Sequence, residues 1–158
     1  MGPYAADVAL LRGRARRPGD VVRPGACVAR IRALREAIRL QLGLVLPEAY
    51  AAFLAECNGF SIAGLHLLGV DADLADDSSP LAARGFAGCL RVNLAREQAR
   101  MTTRCPSRFL VVAEARDHMW GMKEEGSFWR VELHTLRELE RFPDGATLMH
   151  TLAREAAG

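Results

Sequence analysis

Apolar residues at Val28, Ile31, Leu34, Ile38 and Leu42 recur at three- and four-residue steps, while Arg30, Arg32, Arg35, Glu36 and Arg39 fill the positions between them. That period predicts an amphipathic helix, and Gly43 just past it supplies a left-handed stop. Pro47, then Tyr50, Phe53, Leu54 and Cys57 at i, i+3, i+4 and i+7, predicts a second, shorter helix ending at Asn58-Gly59. The short link Leu44 to Leu46 makes the two a helical pair. Phe60 to Ile62 and Leu65 to Val70 then read as strands parted by Ala63-Gly64.

Asp71 to Pro80 contains Asp71, Asp73, Asp76 and Asp77 and no basic residue, the pattern of an exposed acidic loop. A helix over about Val92 to Thr102 follows, with Leu90, Leu94, Gln98 and Met101 on one side. After Cys105-Pro106 the pattern turns to strands: Phe109 to Glu114, Asp117 to Lys123, and Ser127 to Leu133 beyond the Glu124-Glu125-Gly126 turn. Trp120 and Trp129 fall on the two arms of the last hairpin, where they are expected to pack on one face. Thr135 and Glu138 have capping-box spacing, which predicts a helix over Leu136 and Leu139, and Asp144 is placed to cap a last helix carrying Leu148, Met149 and Leu152 inward. Helices, strands, helix, strands, helices: the order predicts an α+β domain.

The first 25 residues look different. Pro3, Pro18-Gly19 and Pro24-Gly25 punctuate them, so a helix near Ala5 to Leu11 must be short and the segment reads as a flexible, Arg-rich lead-in to a core domain at 26–158. Residues 1–50 hold 9 Arg against 4 acids, whereas 51–158 hold 12 basic residues against 15 acidic, so the formal +2 conceals two opposite halves. Because 20 of the 21 basic residues are Arg and Tyr4 is the one aromatic in the lead-in, nucleic acid is not an expected partner. Hydrophobic residues make up 50% of 158, enough for one core. Apolar runs break well before the ~18 residues of a membrane span, and Met1 to Arg17 lacks the apolar stretch of a signal peptide, so a cytoplasmic protein without a membrane partner is expected.

Chemistry-bearing patterns are sparse. Cys27, Cys57, Cys89 and Cys105 form no CxxC pair, and Cys27 and Cys57 sit at apolar helix positions as small buried hydrophobes. No serine lies in a GxSxG elbow, and Gly64 to Gly69 lacks the Lys-Ser/Thr of a phosphate loop. Asp117 and His118, adjacent in a strand, point to opposite faces and cannot act together. The Asp71 to Asp77 carboxylates lack the glycine and closing glutamate of an EF-hand loop. His66, His134 and His150 are dispersed. No catalytic residue, metal site or cofactor is expected.

The run LGLVLPEAYAAFLAECNGF followed by LHLLGV resembles the front half of the SUKH superfamily, the Smi/Knr type of domain. Its pattern is a leading helix, LP-x-x-Y-x-x-F-L, an Asn-Gly turn, and a strand ending in a small residue. Here those positions are Leu46, Pro47, Tyr50, Phe53, Leu54, Asn58, Gly59 and Gly69. FLVVAEARDHMWGM, GSFWRVEL and RFPDGATLMHTL are similar to the closing hairpin and terminal helix of YrhA-like bacterial members, although Asp144-Gly145 stands where an aromatic is the pattern. The resemblance covers about Ala26 to Ala153.

What it implies is a non-catalytic binding module. Bacterial members commonly act as immunity proteins that neutralise a cognate polymorphic toxin, often a nuclease or deaminase, by direct contact. A cationic toxin calls for an acidic surface, so Asp71, Asp73, Asp76 and Asp77 are the expected partner-binding residues, with Trp120 and Trp129 beside them. The alternative is a small-ligand or regulatory module whose groove is walled by those two tryptophans.

Overall fold

The computed structural model describes residues 2–71, 88–103 and 108–158, with side chains of 100–103 excluded. Asp73, Asp76, Asp77 and Cys105 therefore lie outside the described residues. Within them the chain runs α1 (Ala5–Arg14), β1 (Val21–Val22), α2 (Val28–Leu42), α3 (Glu48–Glu56), β2 (Phe60–Ile62), β3 (Leu65–Leu67) and α4 (Cys89–Thr103). It continues β4 (Phe109–Glu114), β5 (His118–Lys123), β6 (Phe128–Glu132), β7 (Glu138–Phe142) and α5 (Gly145–Ala157). The strands form one sheet in chain order, β1 to β7, every neighbouring pair antiparallel. This is an α+β domain.

The sequence pattern explains most of these elements. Ile31, Leu34, Ile38 and Leu42 of α2 are buried, and Gly43 closes the helix at φ 65° with its N–H on the Arg39 carbonyl. Tyr50, Phe53 and Leu54 of α3 are buried with Leu46 and Cys57. The β2–β3 turn places both Ala63 and Gly64 at positive φ, the conformation that suits a two-residue hairpin. Asp144 caps α5, its carboxylate accepting from the Thr147 N–H at 2.7 Å, which holds its carboxyl below the usual range.

Three expectations fail. The segment before residue 26 belongs to the fold: Tyr4, Val8 and Leu11, at i, i+4 and i+7, are buried in the main core, and α1 packs chiefly on α5. Each such side chain contributes about 1.5–3 kcal/mol of burial, enough to dock a ten-residue helix that Pro3 only precedes. Val21 and Val22 then pair with Ser61 and Phe60, so β1 is the first strand of the sheet. Second, Thr135 does not open a helix. Leu136 takes φ 58°, which a helix interior excludes, and Glu138 to Phe142 pair with Val131 to Phe128 as β7. Pairing against an existing hairpin outweighs a capping box that had only a few residues before Pro143. Third, Cys27 is exposed, because it is the residue before α2 and not on its inward face.

Candidate functional site

Among the sequence-predicted site residues, Asp71 is 5% exposed and faces inward. Its carboxylate accepts from the N–H groups of Leu90 and Arg91 at 2.8 and 2.9 Å, capping the first turn of α4 from a distance in sequence. Gly88 makes room for it, since a Cβ there would lie 2.0 Å from Asp71 Oδ1. A carboxylate committed to two backbone donors is a structural brace. The expected role of Asp71 at a partner surface is thus corrected.

The family-like positions are braces as well. The Tyr50 hydroxyl donates to the Leu68 carbonyl, and Asn58 Oδ1 accepts from Val70 N–H at 2.7 Å, while Asn58 N–H donates to the Pro24 carbonyl at 3.0 Å. Gly59 sits at φ 92°. Gly69 crosses so near Asn58 that a Cβ would stand 2.4 Å from the Asn58 carbonyl oxygen. The buried thiols of Cys57 and Cys89 are pushed up to about 11 and about 12, in both cases chiefly by desolvation, which keeps them protonated and inert.

The tryptophans part company. In the β5–β6 register Trp120 opposes Arg130 and Gly121 opposes Trp129, so adjacent positions send the two rings to opposite faces of the sheet. Trp120 is 3% exposed and Trp129 is half-buried. They cannot wall one groove, and Trp120 is not available to a partner.

Trp129 stands in a built surface. Gly121 across from it carries no side chain, and a Cβ there would meet the Leu110 carbonyl at 1.9 Å. The Lys123 ammonium lies 4.5 Å from the ring centroid, and the Arg141 guanidinium lies 5.5 Å from it, on the neighbouring strand where Arg141 is Trp129's direct partner. The indole N–H donates to Ser127 Oγ at 2.7 Å, and that hydroxyl donates to Glu125. The Ser127 bond, with smaller help from Lys123 and Arg141, holds Glu125 below the usual carboxylate range. Lys123 is ion-paired with Glu138. For Arg141, no carboxylate lies within ion-pair distance among the described residues.

The hairpin that presents this surface is specified locally. Gly126 at φ 101° closes the β5–β6 loop, with Lys123 and Ser127 bonded across it. On the same sheet face α4 sends Arg96 to within 3.3 Å of the Met119 sulfur, so that helix covers the inner strands. No family model matches this chain, and neither do the curated proteins or the solved structures.

A second constellation escaped the sequence pattern altogether. His150 Nδ1 lies 2.5 Å from Asp7 Oδ2, the Tyr4 ring lies tilted 4.9 Å from the imidazole, and Tyr4 N–H donates to Glu56 at 2.9 Å. Burial, then Glu56, Asp144 and Asp7, raise the Tyr4 phenol above its ordinary value. These groups come from α1, α3 and α5, and their effect is to tie the first helix to the last. A separation of 143 residues leaves no local signal. Among the described residues, no three His, Cys, Asp or Glu side chains are arranged to hold a metal ion, and no helix is long and apolar enough to cross a membrane.

Proposed function

We propose that this chain is a non-catalytic protein-binding domain of the SUKH type, acting as an immunity protein that neutralises a cognate toxin by direct contact through the outer β5–β7 surface. The observation that carries this reading is Trp129, a large aromatic left partly exposed beside two cations on an antiparallel hairpin. Trp and Arg are the residue types that dominate interface energetics. The indole N–H already has an acceptor in Ser127, so covering the ring with a partner strands no donor. Lys123, paired with Glu138, is likewise compensated before any partner arrives. The resemblance of Leu46 to Gly69 supports the same reading, because its residues brace the scaffold and leave the recognition surface elsewhere.

The test is co-expression with the product of the neighbouring gene, scored by growth rescue and stoichiometric co-purification. Trp129→Ala is expected to weaken the complex by about thirtyfold or more, as loss of a central aromatic anchor does. A wild-type chain that neither rescues nor co-purifies overturns the reading.

A further inference from the structure

We propose that β7 receives an extended segment of the partner as an added strand, with a partner carboxylate seated on Arg141 beside Trp129. The inference rests on the protein-binding reading above and names the chemistry that surface would select.

The sheet ends in two edges that differ. β1 is two residues long, too short to template another chain, whereas β7 runs five residues and, among the described residues, has β6 on one side only. Apart from its pairing with β6, β7 packs chiefly against α5. An edge strand offers alternate N–H and C=O groups outward, and a partner strand completes them with main-chain hydrogen bonds while its side chains supply selectivity.

The charges choose the occupant. A second copy of this chain is disfavoured: a two-fold antiparallel pairing of β7 with itself must be centred on one residue. Centring on Glu138 or Glu140 sets glutamates face to face. Centring on Leu139 opposes Glu138 to Glu140 and Arg137 to Arg141 twice each, centring on Arg141 opposes two arginines, and centring on Phe142 opposes Glu140 to Asp144 twice. A different chain escapes this by supplying the missing sign. Glu138 is already matched by Lys123, so the cation of the Trp129 face with no carboxylate at ion-pair distance among the described residues is Arg141, which acts on Glu125 only from farther away. Placed 5.5 Å from the indole centroid on the neighbouring strand, it carries the donors that bind a carboxylate in the fork geometry arginine favours. The partner segment is therefore extended, bears Asp or Glu opposite Arg141, and has apolar residues to cover Trp129.

The experiment selects displayed random twelve-residue linear peptides on the full chain, then measures binding of the winners by fluorescence polarisation to wild type, Arg141→Glu and Trp129→Ala. Melting temperatures establish whether Arg141→Glu, at an exposed position, and Trp129→Ala, at a half-buried one, leave the fold intact. Enriched peptides are expected to alternate acidic with β-branched or aromatic residues, to lose at least about tenfold in affinity with Arg141→Glu, and to weaken in high salt. Amide shifts on binding are expected to centre on residues 138–142. Selection of nothing, of basic peptides, or of peptides whose shifts centre elsewhere overturns the proposal. The toxin assay separates the two levels: rescue that is unchanged in Arg141→Glu overturns this docking mode while leaving the protein-binding reading standing, whereas failure of the wild-type chain itself removes both.

Discussion

A carboxylate's position in a charge-rich run says little about whether water or backbone will hold it. Asp71 opens a run that reads as acidic loop, yet it turns inward to accept from Leu90 and Arg91, because the start of α4 has no capping side chain of its own at Gly88. The distinction has a measurable consequence. Asp71→Ala removes two charge-assisted acceptors from a buried helix start and is expected to cost about 1–2 kcal/mol of stability, read as a lower midpoint in urea with an unchanged slope. A surface residue contributing steering would leave the midpoint alone and alter association rate with salt. Trp129 shows the converse: its apolar size suggests core, but its register opposite Gly121 puts it beyond the strands α4 covers, packed against the core on one side and beneath Lys123 and Arg141 on the other. Residue type was legible in both cases. The facing was not, since it depends on which strand pairs with which.

Elements were legible where periodicity and a stop signal agreed. α2, with its inward Ile31, Leu34, Ile38 and Leu42 and its Gly43 cap, carries both, and so do the β4–β6 strands with Gly126 between the last two. β7 was not legible, because Thr135 and Glu138 mimic a cap and the pairing partner that overrides them lies outside the window. The β2–β3 turn exposes a local conflict of another kind: Ala63 occupies φ 51° in a two-residue loop, a conformation that costs an alanine about 1 kcal/mol and an asparagine far less. Ala63 is exposed. Ala63→Asn is accordingly expected to raise stability by roughly 0.5–1 kcal/mol, measurable as a higher denaturant midpoint. A lower midpoint would mean that the added amide disturbs the Asp20 carboxylate, which accepts from Ala63 N–H at 3.4 Å.

At the scale of the whole molecule the decisive question is whether the chain has one cooperative core or a core with an appended arm. Arginine density and three Pro-containing breaks suggest an arm, but the i, i+4, i+7 spacing of Tyr4, Val8 and Leu11 was a readable helix face that the charge pattern overshadowed. Tyr4 packs its ring 5.2 Å from Phe53, and Asp7 holds His150, so α1 touches both α3 and α5 through side chains. If these contacts make one cooperative unit, a cavity in α1 must be felt globally. Leu11→Ala, at a fully buried position, is expected to cost about 2–4 kcal/mol, lowering the melting temperature of a chain this size by roughly 5–15 °C in a single transition. Leu10→Ala, one residue away and 42% exposed, is the internal control and is expected to stay within about 0.5 kcal/mol of wild type. A second, separate transition in Leu11→Ala, or equal effects at the two leucines, would mean that α1 opens independently of the sheet. In the cooperative case, removing residues 2–14 uncovers the side of α5 that carries His150 and the core on which Tyr4, Val8 and Leu11 pack, and the truncated chain is expected to aggregate before it loses Trp129 as a binding surface.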